Sequence, residues 1–196
     1  MKALGALLLT VAVPAVSWAT NWNIDGSHTT VSFKVRHMMV TDVRGEFGKV
    51  EGKVELDDKN LSKSKVDVTI DVASISTRDE KRDAHLKSPD FFDAAKHSKI
   101  TFTSTKVASA GKGKLKVTGK LTMKGVTKKV TLDVSGLTNE VKSPWGSYHR
   151  GATATTTINR KDFGISWNQN LDAGGLLVGD EVKITIDIEL VRKATS

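Results

Sequence analysis

Apolar and polar positions alternate with a period of two along most of this chain. Val31, Phe33 and Val35 are interleaved with Ser32, Lys34 and Arg36, and Val66, Val68 and Ile70 with Asp67, Thr69 and Asp71. The same pattern recurs over 50–56, 100–103, 115–123, 130–134, 152–158 and 182–190, making eight runs. Each run predicts a strand with one apolar and one wet face. Strands of a parallel sheet are buried on both sides, so wet faces throughout predict an antiparallel, all-β architecture. Alternation alone leaves a sandwich and a barrel open. The last strand, Val182 to Val191, reaches roughly 33 Å at ordinary rise, which favours an extended eight-stranded antiparallel barrel.

One stretch breaks the period. Thr77-Arg78-Asp79-Glu80 reads as a capping box, with Thr77 accepting from a backbone amide and Glu80 reaching back. A helix from Arg78 to about Lys87 follows. Ser88-Pro89 reads as a second N-cap with Pro at the first helical position, predicting a further helical turn over 90–96. Gly111-Lys112-Gly113 reads as a hairpin turn. The loops 139–150 and 171–180 stand out, the first for Pro144 and Trp145, the second for apolar Leu176, Leu177 and Val178. Small residues at inward parity (Gly52, Gly119, Ala152, Ala154, Thr156) suggest room inside, unless bulky residues such as Trp145, Trp167, Phe163 or Phe47 cover them.

The N-terminus changes the picture of where the chain works. Lys2 precedes an apolar run from Leu4 to Val16, and Ser17-Trp18-Ala19 has the small residues a signal peptidase needs. The expectation is a signal peptide over 1–19, cut after Ala19, and one exported domain over 20–196. The run is short of the roughly 20 apolar residues of a membrane span. About 177 of the 196 residues then remain, enough for one core.

The absence of Cys removes thiol catalysis and thiolate metal sites. The formal charge of +8 is read as a solvated Lys-rich face on the hairpin holding Lys112, Lys114, Lys116, Lys120, Lys124, Lys128 and Lys129. Such a face guards an edge strand or meets an anionic membrane surface. Export argues against nucleic acid as a partner.

Candidate chemistry is sparse. The five histidines, His28, His37, His85, His97 and His149, show no metal-ligand spacing, so no metal is expected. No nucleophile elbow, P-loop or dinucleotide fingerprint occurs. Asp79, Glu80 and Asp83 read as a solvated helix face beside Lys81 and Arg82.

Several blocks, taken in order, resemble the YceI-like family. They are His37-Met38, Val43-Arg44-Gly45-Glu46-Phe47, Ser74-Ile75-Ser76-Thr77, Arg82-Asp83-Ala84-His85-Leu86 and Asp90-Phe91-Phe92-Asp93. Ile100-Thr101-Phe102, Gly119-Lys120-Leu121-Thr122 and Lys124-Gly125-Val126-Thr127 come next, then Asn159-Arg160-Lys161-Asp162-Phe163-Gly164 and Val178-Gly179-Asp180-Glu181-Val182. The resemblance runs from about Trp22 to Leu190. His97-Ser98 departs from the Tyr-Pro that family members often carry before the Ile-x-Phe strand.

The resemblance implies a periplasmic, lipocalin-like barrel that binds or carries a polyisoprenoid lipid or isoprenoid quinone. It implies no enzyme activity and no cofactor beyond such a bound lipid, and some members are homodimers. It sets Arg82, Asp83 and His85 either as a salt-bridged clamp on the insert or as headgroup contacts. It makes Phe91 and Phe92 an apolar wall and Arg160–Asp162 a structural pair. Inward parity then nominates Phe33, Val35, His37, Phe47, Ile70, Phe102, Leu121, Ala154, Ile158, Phe163, Trp167 and Ile186 for the lipid chain, with Arg82, His85, Phe91 and Phe92 at the mouth. Two other readings stay open: an interaction or stress protein with an incidental cavity, acting through Lys116 and Lys120, and an enzyme using His37 or His85 on a bound lipid.

Overall fold

The computed structural model describes residues 19–111, 113–172 and 174–194. The expected signal peptide lies outside the described residues except for Ala19, as does Lys112 at the Gly111–Gly113 turn. Among the described residues, no helix is long and apolar enough to cross a membrane.

Among the described residues, twelve strands and one α-helix follow in chain order: β1 (Thr20–Ile24), β2 (Thr30–His37), β3 (Thr41–Phe47), β4 (Val50–Leu56), β5 (Lys65–Asp71), β6 (Ile75–Ser76), α1 (Glu80–Lys87), β7 (Lys99–Ser109), β8 (Lys114–Met123), β9 (Val126–Ser135), β10 (Val141–Lys142), β11 (Ser147–Asn159) and β12 (Val178–Lys193). Every pairing is antiparallel, and eight strands close a ring, β11-β12-β1-β4-β5-β7-β8-β9 and back to β11. The closing seam is β11 against β12, in unbroken register from Ser147↔Lys193 to Asn159↔Glu181. Closure satisfies the backbone groups that an open sheet would leave at its edges. Strand β12 is longer than its neighbours. Its C-terminal part pairs with β1 and its N-terminal part with β2, so β2, β3 and β6 continue the wall beside the ring.

All eight alternating runs are strands. The ring nevertheless takes β1, a five-residue strand with no run of its own, in the place expected for β2.

The inward faces fill unevenly. At one end Trp22, Val54, Leu56 and Leu190 form a packed cluster, continued by Phe102, Val107, Leu115 and Val117. The guanidinium groups of Arg150 and Arg192 lie 5.9 and 5.3 Å from the Trp22 ring. At the other end stand the β2–β3 tip, α1, the 88–98 segment and the 160–177 segment.

The insert departs from expectation in three ways. Arg78 takes a positive φ of 62° and keeps the helix from starting there. Asp79, not Thr77, caps α1, accepting from the Arg82 amide at 3.0 Å. Ser88 is the C-cap of α1 rather than a new N-cap, and 90–96 forms turns, not a helix. The Ser88 carbonyl instead takes the amides of Phe91 and Asp93, at 3.1 and 2.9 Å.

Candidate functional site

The half of the barrel away from Trp22 is hollow. A cavity of about 560 Å³ lies within it. Its walls are the inward residues of β2 (Val31, Phe33, Val35), β5 (Val66, Val68, Ile70), β8 (Leu121, Met123), β9 (Val130, Leu132) and β12 (Val182, Ile184, Ile186, Ile188). Period-two alternation puts them there: along each strand every second side chain faces the same way. The floor is where Phe102 and Ile24 reach across the barrel above the packed end.

An aromatic group caps the other end. His85 stands edge-to-face between Phe91 and Trp167, each ring centroid 4.9 Å away, and Phe91 and Trp167 are 5.3 Å apart. Phe92 meets Phe47 edge-on at 5.9 Å, and Phe47 lies 5.7 Å from Phe33. Two polar devices hold this cap. Asp83 Oδ1 accepts from the Thr77 amide (2.8 Å) and hydroxyl (2.5 Å). Arg82 donates from Nε to Thr77 Oγ1 and from Nη2 to the Thr77 carbonyl, both at 2.8 Å. Thr77 thus bridges the two side chains that tie α1 to β6. On the far side Arg160, only 4% exposed, donates to the carbonyls of Gly179 (2.9 Å), Ile165 and Trp167 (both 2.8 Å) and fixes the Trp167 wall. Burial lowers the pKa of its guanidinium, and Asp180 opposes that shift. Its carboxylate partner is Asp180 at 3.4 Å, which corrects the expected Arg160–Asp162 pair.

The polar groups of the mouth are Asp79, Lys81, Arg82 and His85, with His37, Leu177 and Val178 opposite. His85 Nε2 is 3.0 Å from Asp90 Oδ2. Lys124, assigned to the solvated face, instead donates to the carbonyls of Pro89 (2.9 Å) and Gly164 (3.2 Å), stapling the cap to the β8–β9 turn. Lys116 is neutralised by Asp133 at 2.6 Å.

All the nominated residues line the cavity except Ala154 and Phe163. Those two are 0% and 1% exposed and are packing residues. Ala154 sits between Ile186 on β12 and Val134 on β9. Gly52 and Gly119 do not make room either. A Cβ on Gly119 would lie 2.4 Å from Phe102 Cζ, and one on Gly52 would lie 2.9 Å from Ile24 Cδ1. The sequence reading missed many further lining residues, among them Val31, Val68, Val43, Thr77, Ile165, Val182 and Ile184. The parity of β12 was signal enough for Val182 and Ile184; Ile165 follows a 3₁₀ turn and has no periodic signal.

A YceI-like domain matches residues 22–190. The chain belongs to the YceI-like family. A UPF0312 protein of Staphylococcus aureus strain MSSA476 is 40% identical over 171 residues, covering 87% of this chain and 96% of its own length. A UPF0312 protein of Vibrio parahaemolyticus is 40% identical over 163 residues, covering 81% and 85%. Among solved structures, Burkholderia cenocepacia BcnA superposes with a TM-score of 0.74 at 28% identity, covering 88% of this chain and 99% of its own. The Campylobacter jejuni YCEI protein gives 0.66 at 29% identity, covering 82% and 91%. A polyisoprenoid-binding domain from Saccharophagus degradans, implicated in plant cell wall breakdown, shares the fold at a TM-score of 0.61 and 15% identity, covering 86% and 97%.

Proposed function

We propose that this YceI-like chain is a binding protein for a chain-like isoprenoid lipid, a polyisoprenoid or an isoprenoid quinone, which it carries through the periplasm. The observation that carries the reading is the apolar cavity, walled by Val, Ile, Leu and Phe side chains and confined to the hollow half of the barrel. Its volume falls in the range of roughly 300–1,000 Å³ typical of small-molecule sites. Each buried CH₂ contributes about 0.8 kcal/mol, so an extended hydrocarbon is held by burial with few polar contacts. His85 at the mouth is packed between rings and bonded to Asp90, and the Thr77–Asp83 pair is tied up with Arg82 in holding α1, which supports binding rather than catalysis. The polyisoprenoid-binding neighbour supports the ligand class. The expected leader peptide and the family support the periplasmic setting.

The lipid enters at the cap end. There the β2–β3 tip exposes Met38, Met39 and Val40 (43%, 65% and 75%) beside the mouth, and such a tip suits a membrane surface.

The test uses delipidated protein and an isoprenoid quinone, read by quenching of tryptophan fluorescence, since Trp167 lines the cavity. Saturable uptake of one quinone per chain is expected. Thr156→Phe, which places a ring in the cavity, should reduce affinity at least tenfold without unfolding the barrel. A folded wild-type protein that takes up no quinone overturns the reading.

A further inference from the structure

A second cluster of chemistry-bearing side chains lies outside the barrel, on the wall opposite the lipid face of β12. Glu189 and Asp187 point outward there, because Ile186, Ile188 and Leu190 take the inward parity. On β11, Gly151 is directly opposite Glu189 in register and His149 is two residues away on the same face. Gly151 has no side chain to stand between the carboxylate of Glu189 and the imidazole. Their atoms Oε1 and Nδ1 are 2.7 Å apart. The linker between β1 and β2 adds Asp25 and His28, whose Oδ2 and Nδ1 are 3.0 Å apart. One donor atom each from Asp25, His149 and Glu189 lie within 4.8 Å of one another. His28, His149 and Glu189 border the same surface hollow.

We propose that Asp25, His149 and Glu189, with His28 as the fourth donor from the rim, form a binding site for a divalent first-row transition ion, with Zn²⁺ the best match.

The donor set argues for the ion class. Two imidazoles with two carboxylates suit zinc and its neighbours, whereas Ca²⁺ and Mg²⁺ take oxygen. Four N and O donors match the tetrahedral preference of Zn²⁺, with bonds of about 2.0–2.2 Å. Tetrahedral donors at that range stand roughly 3.3 Å apart. The 2.7 and 3.0 Å pairs need open by only a few tenths of an ångström as an ion replaces the shared proton, while the donors of Asp25, His149 and Glu189, now within 4.8 Å of one another, draw together and the exposed His28 side chain swings in from the rim.

The support around the donors fits as well. Ligating histidines fix their tautomer by bonding through the other ring nitrogen. His149 Nε2 is 2.7 Å from Ser147 Oγ, which is itself 2.8 Å from Ser143 Oγ. That leaves Nδ1 for the ion. Asp25 Oδ1 accepts from the Ser27 amide (2.9 Å) and hydroxyl (2.5 Å), leaving Oδ2 directed at His28. The main chain holds the two halves together: the Asp25 amide donates to the Glu189 carbonyl (2.9 Å), and the Glu189 amide to Thr29 Oγ1 (3.1 Å). Bound ion would pin the β1–β2 linker, where the wall changes from β1 to β2, to the closing seam of the barrel.

Untagged protein cleared of metal is titrated with ZnCl₂ by calorimetry, and with Co²⁺ by visible absorption. One ion per chain and the strong absorption of tetrahedral Co²⁺ are expected. His28→Ala changes an exposed rim residue and should weaken binding at least tenfold while lipid uptake stays unchanged. His149→Ala should abolish binding. As a check that needs no variant, Zn²⁺ should shift the imidazole NMR signals of His28 and His149 and leave those of His37, His85 and His97 in place. Folded protein that binds no Zn²⁺, shifts confined to the other three histidines, or full affinity in the His28→Ala variant would overturn the proposal. None of these outcomes bears on the lipid reading, whose site is on the other face of the wall.

Discussion

Glycines beneath large side chains set the shape of the interior. Gly119 faces Phe102, and a Cβ there would also come within 2.6 Å of the Thr103 carbonyl, so backbone as well as ring would have to move. Gly119→Ala is therefore expected to destabilise the barrel by about 1–3 kcal/mol, the usual range for overpacking, seen as a lower urea midpoint with an unchanged slope. Gly45 works the same way at the hollow end: Phe33 is its direct cross-strand partner, with Cζ 2.4 Å from where a Cβ would stand. These pairs explain what the sequence left illegible. Parity correctly faced Gly52 and Gly119 inward, but whether a small residue leaves a hole depends on the side chain lying over it from the next strand. The covering residues are Ile24 and Phe102, not the nominated Trp145, Trp167, Phe163 or Phe47; Trp145 is 90% exposed. For the same reason Ala154 and Phe163 face the core yet touch no cavity.

Helix α1 shows how local rules compete within one element. Thr77-x-x-Glu80 and Asp79 are both legitimate N-terminal signals. Positive φ at Arg78 lets Asp79 win and frees Thr77 to bond Asp83 and Arg82 instead. Asp83→Ala removes both Thr77 contacts, so α1 should exchange amide hydrogens markedly faster while the ring strands stay protected. Charge at the cap can be tested separately. The Arg82 amide holds the Asp79 carboxyl below its ordinary value of 3.8; burial, the next effect in size, opposes it, and the Arg82 charge and the Lys81 amide and charge add smaller lowering effects. A folded pKa below the unfolded one means that the stabilisation is present above the ordinary value and is lost as pH falls through the lowered one. Asn caps about as well as Asp. Asp79→Asn should therefore flatten the acid-dependent fraying of α1 below about pH 4, measured by pulsed hydrogen exchange, while protection at neutral pH falls only by the lost charge. If the acid limb keeps its full slope in this variant, another carboxylate governs it.

At the scale of the molecule the barrel is half core and half container, and the two halves have different consequences for loading. The architecture was legible because eight runs alternate cleanly. The division was not, because filled and hollow strands alternate alike: Leu115 and Val117 pack the closed end while Leu121 and Met123, on the same strand and face, line the cavity. With one end sealed by Trp22, Leu56 and Leu190, the proposed lipid would pass the cap, and the surface around the mouth would then set the rate of transfer. Met39 and Val40 project from the β2–β3 tip, where Met38 and Met39 take positive φ and Met38 donates its amide to Leu177 on the opposite lip. An aspartate at Met39 or Val40 leaves the cavity wall intact but gives the tip proposed to meet a membrane a charge that is costly to bury. Quinone transfer from vesicles into Met39→Asp protein should slow at least tenfold, while equilibrium binding of quinone presented in detergent stays unchanged. The Lys-rich face offers the comparison. Lys120→Glu on the outer side of β8 should alter transfer from anionic vesicles far less than the tip substitution, because Lys120 alternates with the cavity-lining Leu121 and points away from the cavity. If Lys120→Glu slows transfer and Met39→Asp does not, the protein docks on its side and the tip is not where the lipid enters.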